Sequence, residues 1–168
     1  MKAWERDKKW SDKFLNEIKS NIGVNFIGEI KNEDCFRNTD LIVLKMEAVR
    51  FACRIRRFDY NYERYKNEFT IRSKRPSGNK TELRKIIEGF GDYIFYGFSD
   101  QQDSNLKSWF IGDLSVFRSW FLNELYKKGD DKEYKPRWII KSNHDGSSDF
   151  YIFNVNNFLN NFIVAKNG

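Results

Sequence analysis

The side chains best equipped for chemistry in this sequence are arginines and tyrosines set close together. Arg50, Arg54, Arg56, Arg72, Lys74 and Arg75 fall in one stretch, and a guanidinium presents a planar fork of donors that matches a phosphate. Tyr60, Tyr62 and Tyr65 interleave with charged residues between Arg57 and Lys66. Rings so placed stack on bases, as in single-strand binders, or anchor a protein interface, where Tyr and Arg are enriched, or pack under their own loop. From Arg50 to Lys85 there are twelve basic and four acidic residues, a net charge of +8, while the other 132 residues sum to −2. The whole-chain charge of +6 therefore belongs to one region, which creates a local positive field if it folds as a continuous surface. Like charges on a shared strand face are destabilising unless carboxylates or anions meet them. Asp40, Glu68 and Glu82 can do so internally, and a bound phosphate backbone does it better.

Other chemistries are poorly served. Two cysteines, Cys35 and Cys53, and one histidine, His144, make neither a disulfide framework nor a Cys/His zinc site. His144 stands alone in a turn-like His-Asp-Gly-Ser segment, which gives acid–base catalysis no partner. No Gly-rich phosphate loop and no Gly-x-Ser-x-Gly elbow occurs. The 168 residues, 40% hydrophobic and 17% aromatic, supply a packed core and exclude a disordered chain. The apolar runs are too short to span a membrane, and the charged N-terminus lacks the apolar stretch of a secretory signal. A cytoplasmic protein with no membrane partner is expected, folded as a single domain over residues 1–168.

Periodicity gives the elements that must position these groups. Ser11–Ile22 reads as a helix capped by Ser11, stopped by Gly23, with Trp10, Phe14, Leu15 and Ile18 on one face. Val24–Ile30 reads as a strand and Asn32–Thr39 as a polar loop, and Asp40–Leu44 is apolar enough for the middle of a sheet. Arg50–Arg56 alternates, which sends Phe51, Cys53 and Ile55 to the core and Arg50, Arg54 and Arg56 to the other face. Glu68–Arg72 alternates likewise, with Phe69 and Ile71 inward, so two neighbouring strands are expected to share a basic face. Thr81–Gly89 reads as a short helix with Leu83, Ile86 and Ile87 in a stripe. Asp92–Phe98 and Trp109–Ile111 follow as strands. Asp113 is a good N-cap for a helix over Leu114–Tyr126 presenting Leu114, Phe117, Phe121 and Leu125. Trp138–Ile140 and Phe150–Phe153 form a hairpin, and Asn157–Val164 closes the sheet. The expected fold class is α+β: one mixed central sheet of about five to seven strands flanked by helices.

The order helix, strand, strand opening on Asp, strand bearing basic residues, helix, strand resembles the αβββαβ core of the PD-(D/E)xK nuclease superfamily, over residues 11–112. In that family a helix acid, an Asp at a strand start and an acid-x-Lys hold a divalent metal beside the scissile phosphate. Here Glu17 lies on the first helix, Thr39-Asp40-Leu41 resembles the Asp motif, and Ala52-Cys53-Arg54 stands in place of acid-x-Lys. The resemblance implies Asp40 as metal ligand, with Mg²⁺ as cofactor if the site is active. Ala52 cannot ligate a metal, and Arg54 does not readily yield a proton; Asp40 alone is thin for a hard cation. Either the missing acid has moved, to Glu68 or Glu82, or cutting has been lost and binding kept, with no cofactor. The second is favoured. Three functions follow: a nucleic-acid-binding protein, DNA or RNA, of a phage or mobile-element kind; a Mg²⁺-dependent endonuclease using Asp40 with Glu68 or Glu82; or an inhibitor of a host nucleic-acid enzyme, with the basic Tyr-rich loop docked on a protein partner.

Overall fold

The computed structural model describes residues 3–26, 49–59, 61–158 and 161–167. Two compact units divide the chain, Met1–Val49 and Arg50–Gly168. The expected strand beyond Phe26, the loop Asn32–Thr39, the strand Asp40–Leu44, Cys35 and Tyr60 all lie outside the described residues. No helix among the described residues is long and apolar enough to cross a membrane.

In the first unit α1 (Ala3–Ser11) runs through a 3₁₀ turn (Asp12–Phe14) into α2 (Leu15–Phe26). The helix thus begins earlier and ends later than the cap pattern suggests. Ser11 has helical backbone angles, and its hydroxyl donates back to the Lys8 carbonyl at 2.9 Å instead of capping. Gly23 lies inside α2, and residues 24–26, expected to open a strand, continue the helix. Phe14 and Ile18 are buried as expected, whereas Leu15 is exposed.

The second unit is α+β, with two sheets where the sequence suggested one. Sheet A has the order β1 (Phe51–Arg56), β3 (Tyr93–Ser99), β4 (Leu106–Asp113), β7 (Ile163–Asn167); sheet B has the order β2 (Glu68–Lys74), β6 (Asp149–Asn154), β5 (Trp138–Ser142). β1 runs parallel to β3, and every other pairing is antiparallel. A one-turn helix, α3 (Tyr62–Tyr65), and α4 (Glu82–Ile87) lie along the crossover from β1 to β3; α5 (Leu114–Asp130) follows β4 directly.

The Asp113 cap read from the sequence holds, and Thr81 caps α4 as well. Thr81 Oγ1 accepts from the Arg84 N–H at 3.3 Å, and Asp113 accepts from the N–H groups of Ser115 and Val116. Gly89, at φ +92°, turns the chain out of α4, a conformation that favours glycine. One core joins the two sheets and α5. Phe69 packs within 5.3–6.2 Å of Tyr96, Phe110, Phe117, Phe153, Phe158 and Phe162. The α5 face is Leu114, Phe117, Trp120, Phe121 and Glu124, all buried. Leu125, assigned to that face by periodicity, is exposed, and a carboxylate takes the buried place beside it.

Candidate functional site

β1 and β2 do not pair with each other. β2 joins sheet B because its Phe69 and Ile71 fit opposite Phe153 and Tyr151, while β1 pairs with β3. The shared basic face is therefore assembled across two sheets. Its join is Arg54: one guanidinium nitrogen, Nη1, donates to the Thr70 carbonyl of β2 at 3.2 Å and to Glu82 Oε2 at 2.8 Å. The same carboxylate oxygen accepts the Arg72 backbone N–H at 3.2 Å. Glu82 can stand there because Thr81 starts α4 immediately before it, which brings the first helical turn against β2.

Arg54 occupies the inner side of sheet A, and Cys53, expected in the core, is exposed. Phe51 and Ile55 on the Cys53 side are half-buried, as are Ala52 and Arg54 on the other, and Ala52 is the β1 residue packed on the central core. A strand at the edge of a sheet tolerates arginines on its inner side when their heads reach partners. Arg56 finds rings instead of carboxylates, its guanidinium lying 5.2 Å from the Tyr65 centroid and 5.4 Å from that of Phe98, a cation–π arrangement.

Around Glu82 the positive charges outnumber the negative. Burial pushes Arg72 below the ordinary arginine value; the nearby charges of Arg75 and Arg54 push it further, and Glu82 offsets only part of this. Arg72 remains a cation. Arg75 follows β2 in a turn closed by the Gly78 N–H on its carbonyl, and Lys74 is exposed at the end of the strand. In sheet B, Arg72 pairs with Phe150, which pairs in turn with Lys141. Side chains at paired positions share a face, so arginine, phenylalanine and lysine form a row across three strands. Lys141 and Phe150 were not among the residues singled out from the sequence; the hairpin register is the signal that places them there.

The other expected site residues are dispersed. Arg50 is exposed at the mouth of β1, its backbone N–H on Asp92 Oδ2 at 2.7 Å. Tyr62 is buried; its hydroxyl donates to Ser108 Oγ at 2.9 Å and its ring packs on Phe58 and Phe98. It is a core residue, not a ring offered to a base. Glu68 opens β2 opposite Asn154, four residues from Arg72 and so roughly 13 Å along the strand from it. It does not converge with Glu82.

A divalent cation finds a poor fit among these groups. Glu82 is engaged by a guanidinium, Ala52 offers no ligand, and no group of three or more His, Cys, Asp or Glu able to hold a metal occurs among the described residues. Asp40 lies outside them. What the arrangement offers chemically is anion recognition: the Arg54 guanidinium fixed on Thr70 and Glu82, with the charges of Arg72 and Arg75 close by. Comparison with known proteins gives no match to a family model, to a curated protein or to a solved structure.

Proposed function

We propose that the chain binds nucleic acid through the cations gathered at Glu82, keeping a nuclease-like arrangement for binding without cutting. The observation that carries this reading is the imbalance of charge: Arg54 and Arg75 both lie near enough to Arg72 to depress it, and Glu82, bonded to Arg54, offsets only part of this. Holding three guanidinium groups together costs stability unless an anion completes the set, and a phosphate backbone supplies anions at a regular spacing. Arg72, Lys74, Arg75 and Lys141 are the phosphate contacts. Phe150, between Arg72 and Lys141 in register, offers a ring to an unpaired base, which favours single-stranded segments over duplex. Arg50 and Arg56 extend the positive surface along β1. Glu82 positions Arg54 through Oε2, the oxygen that also takes the Arg72 backbone N–H.

The test is fluorescence anisotropy with labelled single- and double-stranded DNA and RNA across a salt series. Binding at low salt that falls steeply as salt rises is expected, because each phosphate contact releases counterions. Absence of binding at low salt, or affinity indifferent to salt, sinks the reading. Plasmid and single-strand cleavage assays with Mg²⁺ and Mn²⁺, using wild type and Asp40→Ala, separate binding from cutting; cleavage lost in the variant restores the endonuclease reading.

A further inference from the structure

A second set of groups runs along the inner side of sheet A, from Arg54 at the Glu82 end to Lys166 at the other. Arg54, Tyr96, Phe110 and Lys166 are in register across β1, β3, β4 and β7, a row with a cation at each end and two rings between. Tyr96 and Phe110 are stacked, with centroids 5.8 Å apart and planes 25° from parallel. The Lys166 end opens into a cleft of about 530 Å³, within the size range of small-molecule sites. Its floor is aromatic, formed by the largely buried rings of Tyr96, Phe98, Phe110 and Phe158. Lys66 and Lys166 stand in its lining together with the amides of Asn67 and Asn156, and none of the lining residues among those described is acidic. Lys66 also pairs with Glu63 at 2.7 Å, outside the cleft.

We propose that this cleft binds a nucleotide, with the base against the aromatic floor and the phosphate on Lys166 and Lys66. The cations select an anion. The apolar floor suits a planar heterocycle, and the two Asn side chains, exposed at the rim, can hydrogen-bond the polar edge of a base, which a hydrocarbon tail lacks. The nucleotide comes either from a free mononucleotide or from the phosphorylated end of a strand. The site goes beyond the surface proposed above and does not depend on it, since the two share no side chain that contacts ligand.

Isothermal titration calorimetry of the full chain with AMP and UMP tests the proposal, with adenosine, inorganic phosphate and decanoate as controls. The nucleotides bind, and adenosine and phosphate alone are each weaker by about tenfold or more, the equivalent of one lost charge-assisted contact. Val155→Trp, which fills the cleft from a half-buried lining position, abolishes binding. Lys166→Glu, on an exposed β7 position, weakens it by about tenfold or more. Thermal melts of both variants confirm that they are folded. Arg72→Ala binds mononucleotide like wild type, so failure of the Arg72 surface and failure of the cleft give different results. Short oligonucleotides with and without a 5′ or 3′ phosphate identify the source: tighter binding than AMP that requires the terminal phosphate assigns a strand end, and equal binding assigns the free nucleotide. No heat with any nucleotide at millimolar concentration overturns the proposal, as does tighter binding of decanoate, or wild-type affinity in a folded Val155→Trp variant.

Discussion

Glu124 and Glu82 are both carboxylates held by arginine, and their surroundings differ in almost every other respect. Glu124 is fully buried and accepts from Arg137 Nη2 at 2.9 Å, the Arg137 backbone N–H at 3.2 Å and Tyr134 Oη at 2.7 Å, with Lys127 at 3.5 Å. Both of its oxygens are used, and the donors all come from α5 or the segment leading to β5. Glu82 is partly exposed and uses one oxygen, against a group of cations that it cannot neutralise. The first centre is closed and ties the end of α5 to the chain that enters sheet B. The second is left short of negative charge at the surface. An acid–arginine pair thus says little about role until the donors around it are counted.

The largest effect separating the two is expected from Glu124→Gln, which places amide N–H groups against existing donors. Breaking such a buried pair should cost about 3 kcal/mol, the lower end for a buried ion pair because Arg137 is half exposed. Urea denaturation measures it, and nucleic-acid affinity of the folded variant should be unchanged; a loss below about 1 kcal/mol would remove the structural role assigned here.

The pH dependence sharpens the same contrast. Burial alone would raise the Glu124 carboxyl, but hydrogen bonds from Arg137 and Tyr134 outweigh it and hold the group down to about 2, below its ordinary value of 4.5. The unfolded chain therefore takes up the proton first. Stabilisation is complete above the ordinary value and is lost as pH falls from there through about 2. Wild-type stability should decline across that window, and the Glu124→Gln curve should be flatter there; parallel curves would contradict it.

At the second centre the effects belong to binding. Arg72→Ala combined with Arg75→Ala should weaken single-strand binding by about tenfold at low salt and reduce the salt slope by roughly two contacts, read by anisotropy. Glu82→Gln should move affinity the other way, by about two- to threefold, since it removes the one opposing charge, while costing roughly 1 kcal/mol of stability. If Glu82→Gln weakens binding, its carboxylate serves the ligand directly and the two centres are less different than described. The smallest change is expected from Lys74→Ala, about twofold in affinity, for one exposed phosphate contact.

Local features were the most legible. The cap at Asp113, the hairpin turning near Gly146 and the alternation in β2 all depend on neighbours in sequence, and each stands as read, while the Ser11 cap does not. The partition into two sheets was not legible, because it is decided by whether Phe69 finds β6 or β1, a choice between distant surfaces. The same long-range choice exposed Cys53, although Phe51 and Ile55 on its side stay half-buried, and drew Arg54 inward, whose head reaches Thr70 and Glu82 sixteen and twenty-eight residues on. The charge count placed the excess between Arg50 and Lys85, whereas Tyr62 was lost to the core and Lys141, Phe150 and Lys166 entered through strand register alone. Glu124 carried no signal, since a lone glutamate on a helix reads as solvated until Arg137 is known to face it.

Sheet A is finished by β7, whose Asn167 side chain accepts the Trp109 N–H from a partner fifty-eight residues earlier. Pairing over such separations is slow, because the loop must close before any contact rewards it. Until β7 arrives, the outer edge of β4 is unpaired and the aromatic surface of Tyr96, Phe98 and Phe110 lacks its Lys166 border. The nascent chain therefore passes through a stage with an open, sticky edge, when it is most exposed to aggregation and to capture by chaperones.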